Sequence, residues 1–392
     1  MVTFKCTVIG GGPAGLAAVG SCLDAKLSPL LWIDPSFSGG RLNQYLSVPS
    51  NTKVAVFERF ARTPLSFQKA LQASGDAGIA MLQGWDPQSG CPLTLARDST
   101  QAMSRLVIAE HRDLVTSFNG YAHKVVRDGK SSKWTVHCDA NDPQLAKHSS
   151  CPVRKAFSTE RVIFATGSKP RPSIPLHPSL QAVNTLDLDT ALNPTRLSKT
   201  VKATDRILVI GSSHSAILVL KNLTDLHHPP LDIVNVWKDP LLYAEYMPDD
   251  WILYDNTGLK GIAAEWAMHR LESGRVPSIK RISTEELGSE ASIQKPFDFV
   301  VFAVGFIRNP LPAIHFNELS EALDESKITH DAKTSRLLHA GSVLPNLYGL
   351  GIAFPEKTVD PRGNIEDSVG MWKFMKYSQR IVPAVIALKS NL

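Results

Sequence analysis

The chain has 392 residues, and its 42 Lys and Arg against 37 Asp and Glu leave a formal charge of +5. That length favours two domains, each with its own core. The basic excess is mild and scattered, apart from a local run from Lys147 to Lys155, so it gives no case for a nucleic-acid partner. No apolar run reaches the eighteen residues that a membrane-spanning helix needs.

Five cysteines, Cys6, Cys22, Cys91, Cys138 and Cys151, show neither C-x-x-C nor metal-ligand spacing. Cys6 and Cys22 fall in the first strand and first helix and are expected to be core thiols. The first strand begins almost at Met1, which leaves no room for a signal peptide. A soluble, cytoplasmic protein is the expectation.

Lys5 to Ile9 reads as a short apolar strand. It runs into Gly10-Gly11-Gly12-Pro13-Ala14-Gly15, and Leu16, Ala17 and Ala18 continue as a helix. Gly10, Gly12 and Gly15 have the dinucleotide-binding spacing. The first allows the turn, the second lets a pyrophosphate approach the backbone, and the third lets helix and strand pack closely. Pro13 suits the first helical turn, where its missing N–H is no loss, and the N–H groups left there face phosphate. Pro29 to Ile33 is a second apolar strand. It ends at Asp34, placed to accept hydrogen bonds from an adenosine ribose.

Beyond it, Gly39-Gly40-Arg41-Leu42 suggests backbone against ligand, with Arg41 either neutralising a phosphate or lying on the surface. Asn43, Gln44, Tyr45, Ser50, Asn51 and Thr52 are candidates for hydrogen bonds to a heteroaromatic ring, or simply a polar loop. Residues 55–83 predict two or three helices broken at Pro64, and 95–112 another. Phe118–Val126 and Trp134–Cys138 read as strands around an Asp128-Gly129 turn, and 139–156 as a polar loop. Glu160–Phe164 is an apolar strand ending in Ala165-Thr166-Gly167. After it Pro170, Pro172, Pro175 and Pro178 stiffen an extended crossing.

Ile207–Ile210 opens a second strand-turn-helix, Gly211-Ser212-Ser213-His214-Ser215-Ala216, in which Gly211, Ser213 and Ala216 repeat the first spacing with small residues. His214 is expected to pack or to touch phosphate; a general-acid role is the lesser alternative. The next strand, Ile233–Trp237, ends at Trp237-Lys238 instead of an acid. Gly261–Leu271 is predicted helical. Phe297–Ala303 is a strand ending at Gly305. Leu338–Gly341 and Asn346–Gly351 are strand-like, and from Ile365 onward the pattern turns helical. Its amino terminus would offer N–H groups to an electron-rich ligand edge. Tyr45, Tyr254 and Phe354 are candidate walls of a substrate pocket.

Two such turns suggest electron transfer between two dinucleotides. The chain resembles the two-dinucleotide-binding-domain flavoproteins, the group of thioredoxin reductase and the flavin-containing monooxygenases, over almost its whole length. Gly10–Gly15 resembles their FAD fingerprint, with Asp34 where the group usually has glutamate. Gly39–Leu42 resembles the FAD-contacting glycine pair of the reductases. Ala165-Thr166-Gly167 and Ala303-Val304-Gly305 look like the two crossover motifs, and Gly211–Ala216 resembles the NAD(P)H fingerprint. Gly351 and the helix placed at Ile365 stand where the last strand and helix of the group reach the isoalloxazine.

The resemblance implies an α/β fold with two Rossmann-like dinucleotide-binding domains, the NAD(P)H domain inserted in the FAD domain. The expected parts are 1–170 and 306–392 for FAD and 171–305 for the nicotinamide nucleotide. It also implies an FAD-dependent NAD(P)H oxidoreductase, foremost a monooxygenase acting on a small organic molecule through O2. The alternatives are a reductase passing electrons to a quinone, small disulfide or protein, and a non-catalytic FAD-binding protein. The missing C-x-x-C argues against a disulfide reductase working through its own dithiol, and residues 183–200 lack a good copy of the monooxygenases' aromatic-glycine-histidine signature. Lys238, with Trp237 as a face for adenine, favours NADPH over NADH, and the group suggests a homodimer.

Overall fold

A computed structural model describes residues 2–129, 131–141, 153–175, 177, 180, 182–287 and 295–386. Two sheets organise it. In the first, the parallel strands run Val115–Arg127, Leu30–Asp34, Cys6–Ile9, Val162–Phe164 and Ser342–Gly349 in spatial order. The three central strands, Leu30–Asp34, Cys6–Ile9 and Val162–Phe164, are buried throughout because both faces are covered. One face carries the Pro13–Asp24 helix, the Leu93–Glu110 helix and the closing Met371–Ile381 helix over a core of Leu16, Phe60, Phe67 and Met375. Ser378 Oγ donates to Ala17 O (3.2 Å), which fixes the last helix on the first. Cys6 and Cys22 are fully buried, as expected of core thiols.

The second sheet is wholly parallel, in the order Ala182–Thr185, Phe297–Phe302, Arg206–Ile210, Asp232–Trp237 and Ile279–Ser283. The His214–Thr224 and Gly261–Trp266 helices pack on one face of it. The latter continues as a wider turn through Ala267–Leu271, matching the expected helical span. Both sheets are Rossmann-like. The chain passes between them twice, at Ser168–Pro170 and Phe306–Arg308, and these two crossings pair as antiparallel strands. Pro178 and Cys151 lie outside the described residues.

Two readings change. Residues 139–156 are not one loop: Trp134–Ala140 runs further than expected, and Arg154–Thr159 is a strand that pairs with it. The middle of that stretch lies outside the described residues. The helix placed at Ile365 begins six residues later, at Met371, and Ile365–Ser368 is instead a strand antiparallel to Glu356–Val359. Gly370, at φ +147°, is the break between strand and helix, a conformation open to glycine alone.

Candidate active site

The first turn forms as its residues dictate. Gly10 sits at φ +120°, and a Cβ there would lie 2.2 Å from Ala165 O, so the turn and the end of the Val162–Phe164 strand touch backbone to backbone. Gly12 is the N-cap of the helix and Pro13 takes its first turn. A Cβ on Gly15 would stand 1.9 Å from Gly10 O, the close helix–strand packing expected. Above Gly12 the space is open: a Cβ there meets nothing nearer than Gly40 Cα at 3.7 Å.

That opening belongs to a cavity of about 520 Å³. Gly10, Gly12, Pro13 and Ala14 line one side, with Asp34, Gly40, Arg41 and Leu42 beside them. Gln44, Tyr45, Asn51, Thr166 and Gly167 also line it. Gly351 lies just behind this wall, where a Cβ would come 2.5 Å from Ala14 Cβ. Thr166 Oγ is buried with no hydrogen-bond partner among the described residues. An open glycine cradle at a helix N-terminus, and a wall residue, Thr166, whose hydroxyl has no partner among the described residues, fit a bound dinucleotide.

Asp34 does more than face this space. Its Oδ2 accepts from Gly11 N (2.6 Å), and its Oδ1 accepts from Ser36 N (2.9 Å) and Phe37 N (2.7 Å). The acid at the strand end therefore holds the glycine turn and the following loop in place. Arg41 is also engaged: Nη2 bonds both oxygens of Asp189 at 2.7 Å, and Nε donates to Tyr45 Oη at 2.7 Å. Burial opposes its charge, but Tyr45 and Asp189 outweigh that and hold the guanidinium above its usual pKa. Arg41 thus ties the first sheet's loop to the Leu188–Ala191 helix of the inserted segment.

The helix end that reaches the cavity is Gly370, Met371 and Phe374. Ile365 does not reach it; it is exposed on the hairpin. The period of Val369, Trp372 and Met375 is helical, but the alternation of Ile365 to Ser368 belongs to a strand. Of the three proposed pocket aromatics, only Tyr45 lines the cavity. Phe354 is fully buried against Gly349 and His330, and Tyr254 lies in a turn with φ +56°. Phe306, the first residue of the second crossing, and Asn309, just past it, also line it; the sequence marks Phe306 only as the end of a strand, and Asn309 not at all. Gly305 itself only turns the chain, at φ +87°.

A second, smaller cavity of about 160 Å³ adjoins the first, sharing Tyr45, Ser50, Asn51, Leu93 and Phe306. Its far side is His214 and Ser215, at the start of the second turn's helix. Gly211 (φ +127°) and Ser213 shape that turn, and Ala216 packs beneath it. His214 Nε2 accepts from Lys260 N (3.0 Å), so the proton of the neutral ring is on Nδ1. Asn51 Nδ2 lies 3.5 Å from the same Nε2. Burial lowers the pKa of His214, which keeps it neutral.

At the end of the second sheet Trp237 is half-buried and Lys238 exposed. One face of Trp237 is covered by Arg281, whose guanidinium carbon is 5.3 Å from the ring centroid. Arg281 Nε donates to Asn235 Oδ1 (3.2 Å), while its Nη2 is buried without a partner among the described residues. Neither Asn235 nor Arg281 is marked by a motif. Only the strand register Asn235↔Arg281 brings them together.

No family model matches the chain. It is similar to Monooxygenase AgnR1 of Paecilomyces divaricatus, with 36% identity over 404 residues, covering 98% of each chain. Among solved structures it is similar to the reduced form of ornithine hydroxylase from Pseudomonas aeruginosa, with TM-score 0.61 and 12% identity over 99% of this chain and all of that one. It is also similar to a polycyclic ketone monooxygenase from Thermothelomyces thermophila (TM-score 0.54, 12% identity, 97% and 75% covered). A bacillithiol disulfide reductase from Staphylococcus aureus shares the fold too (TM-score 0.53, 12% identity, 98% of each covered). Identity of 36% across nearly the full length of both chains places this protein in the family of the Paecilomyces monooxygenase, as an oxidoreductase of the two-dinucleotide-fold type.

Proposed function

We propose that this chain is an FAD-dependent, NADPH-using monooxygenase acting on a small organic molecule. In this reading residues 1–170 and 306–392 hold FAD, and residues 171–305 hold the nicotinamide nucleotide. The observation that carries it is the adjacency of two glycine-turn helix ends. One opens on the large cavity, the other on a smaller one that shares five residues with it.

The cradle of Gly10–Gly15 would take the FAD pyrophosphate on helix N–H groups, with Asp34 holding the turn rigid. Thr166, Asn51 and the Gly370 helix end offer polar groups along the rest of the cavity. FAD held there would supply the redox chemistry, hydride acceptance from NADPH and oxygenation with O2. The protein's part is placement: Asn51, Tyr45 and Phe306 form the wall common to both cavities, and Leu93 adds an apolar side chain to it. The cysteines among the described residues line neither cavity. This argues against electron transfer through a protein dithiol, in line with the missing C-x-x-C. A cytoplasmic enzyme that pairs as a homodimer is part of the same reading.

The test is anaerobic mixing with NADPH, followed by O2 and a panel of small organic substrates. The expected result is bleaching of a yellow protein, then NADPH consumption coupled to oxygen incorporation. A protein without FAD, or NADPH oxidation that needs an added electron acceptor and inserts no oxygen, overturns the proposal.

A further inference from the structure

The two cavities are joined by more than their common wall. Residues 255–260 of the inserted segment cross from the last hairpin and helix to the second glycine turn; polar contacts hold both ends, and Leu259 between them is buried in the second sheet's core. Glu366, only 8% exposed, receives the strap at one end. It accepts from Asn256 N (3.1 Å), Asn256 Nδ2 (3.2 Å), Thr257 N (3.1 Å) and Thr257 Oγ1. Asn256 Oδ1 in turn accepts from Val369 N (3.2 Å) and Lys373 Nζ (2.6 Å). Lys373 Nζ lies 2.7 Å from Asp255 Oδ2, and Lys260 bonds the same carboxylate. The far end is Lys260 N, which donates to His214 Nε2. The next residue, Gly261, abuts Asn51.

The anchors belong to walls already described or stand beside them. Val369 and Lys373 flank Gly370 and Met371, which line the large cavity. His214 begins the helix of the second turn, and Asn51 faces both cavities. The strap is also costly to hold in its shape. Tyr254, at its head, sits at φ +56°, a conformation non-glycine residues rarely take. The four donors converging on Glu366 bond a carboxylate and are therefore charge-assisted, the stronger kind.

We propose, resting on the FAD and NADPH reading above, that residues 255–260 are a coupling strap through which a nucleotide at the Gly211 turn and a flavin at the Gly10 turn bind cooperatively. Nucleotide seated against His214 fixes Lys260 and the strap. The strap, through Glu366 and Lys373, fixes the Gly370–Phe374 wall. By linkage each ligand then raises the affinity for the other by the same factor. Glu366 and Lys373 are positioning residues in this scheme.

The measurement is the rate of FAD release, followed by flavin fluorescence, with and without saturating NADP+. In the native holoenzyme NADP+ is expected to slow release roughly tenfold, within the usual range of such couplings. In Glu366→Gln and in Lys373→Met the factor should fall below about twofold. Lys357→Met, which breaks an exposed ion pair with Asp367 on the same hairpin, should keep the native factor. A purely structural role predicts faster release in the variants by the same ratio with and without NADP+, and that outcome overturns the strap. So does a native factor of one in a protein that binds both ligands. If Glu366→Gln fails to fold, Lys373→Met decides alone. A native protein that binds no FAD or no NADP+ sinks the underlying function as well, and so is distinguishable from failure of the strap.

Discussion

The two glycine turns are one backbone built with two sets of side chains. Gly12 and Ser213 cap their helices at nearly the same angles, φ −80° and −92°, ψ −177° and −173°. Gly10 N donates to Ile33 O and Gly211 N to Val236 O; Ala165 N donates to Ile9 O and Ala303 N to Ile210 O. The carbonyl of the first glycine is bonded in both turns by a side chain of the neighbouring strand at 2.8 Å, Trp32 Nε1 in one and Asn235 Nδ2 in the other. They differ in tightness and in the strand-end residue. The first turn closes on Gly15 and is pinned by Asp34. The second admits Ala216, and the acid's place is taken by Trp237 under Arg281. A tight, pinned turn suits a cofactor that stays, and a looser one suits a cofactor that comes and goes.

The harshest way to break this comparison is to exchange the third small residue. Gly15→Ala puts a methyl 1.9 Å from Gly10 O, where only backbone movement makes room. Loss of more than about 4 kcal/mol, or no folded protein, is expected. The reverse change in the other turn, Ala216→Gly, should cost about 1 kcal/mol. Thermal unfolding of both variants measures this, and equal losses would mean that the turns are equally tight. Gly12→Val separates ligand from fold. A Cβ at this position meets nothing nearer than Gly40 Cα at 3.7 Å, so the apo form should melt within a few degrees of the native one while FAD content falls at least tenfold. Full FAD occupancy in that variant removes the first turn from its role.

Asp34→Ala comes next. It strips the acceptor from three backbone N–H groups, two of them in buried contacts. Roughly 3 kcal/mol should be lost at about 1 kcal/mol or more per orphaned donor. Trp237→Ala, at the matching strand end, should leave its own turn's backbone intact and cost less. A larger loss at Trp237 would show that Arg281 stacking, not the acid, is the stronger pin.

What the sequence made legible follows from where each signal is stored. The turns are local: glycine at φ near +120° and small residues at fixed offsets can be read from one stretch of chain. The bracing by Trp32 and Asn235 is not local. It depends on the registers Val8↔Trp32 and Val209↔Asn235, which no single strand reveals. The misplaced helix start has a similar cause. Glu356–Val359 and Ile365–Ser368 are polar, alternating segments around the Asp360–Asn364 turn, and only their pairing makes them strands. Nothing in the sequence marks Glu366; its donors come from the Asn256-Thr257 turn, far away in the chain.

A smaller effect is expected where the second turn lacks its acid. Lys238→Ala should lower kcat/KM for flavin reduction by NADPH roughly tenfold, about 1.4 kcal/mol, and leave NADH nearly unchanged. Lys238 is exposed, so added salt should narrow the difference. Stopped-flow reduction with both nucleotides measures it. Equal losses with both, or a native preference for NADH, would leave Arg281 as the cation to test at this strand end.

The smallest difference concerns pH, because the second turn carries a titratable group and the first carries none. His214 is held neutral by burial, with its folded pKa below the usual 6.5. The Lys260 N–H bond needs Nε2 without a proton, and the Lys260 ammonium also disfavours the imidazolium. The unfolded chain takes up a proton near pH 6.5, whereas the folded chain resists it. Stability is therefore full above that pH and is lost as the pH falls toward the folded value. One such group adds a slope of at most about 1.4 kcal/mol per pH unit across that window. His137 and His330, also lowered by burial, add slopes of their own, so the quantity that matters is a difference. His214→Gln keeps an acceptor for Lys260 N–H without a titration. Its unfolding free energy, measured by urea from pH 7.5 to 5, should fall less steeply below pH 6.5 than that of the native chain. Parallel curves would mean that His214 exchanges protons in the folded state as it does in water, and that its contact with Lys260 does not hold the second turn.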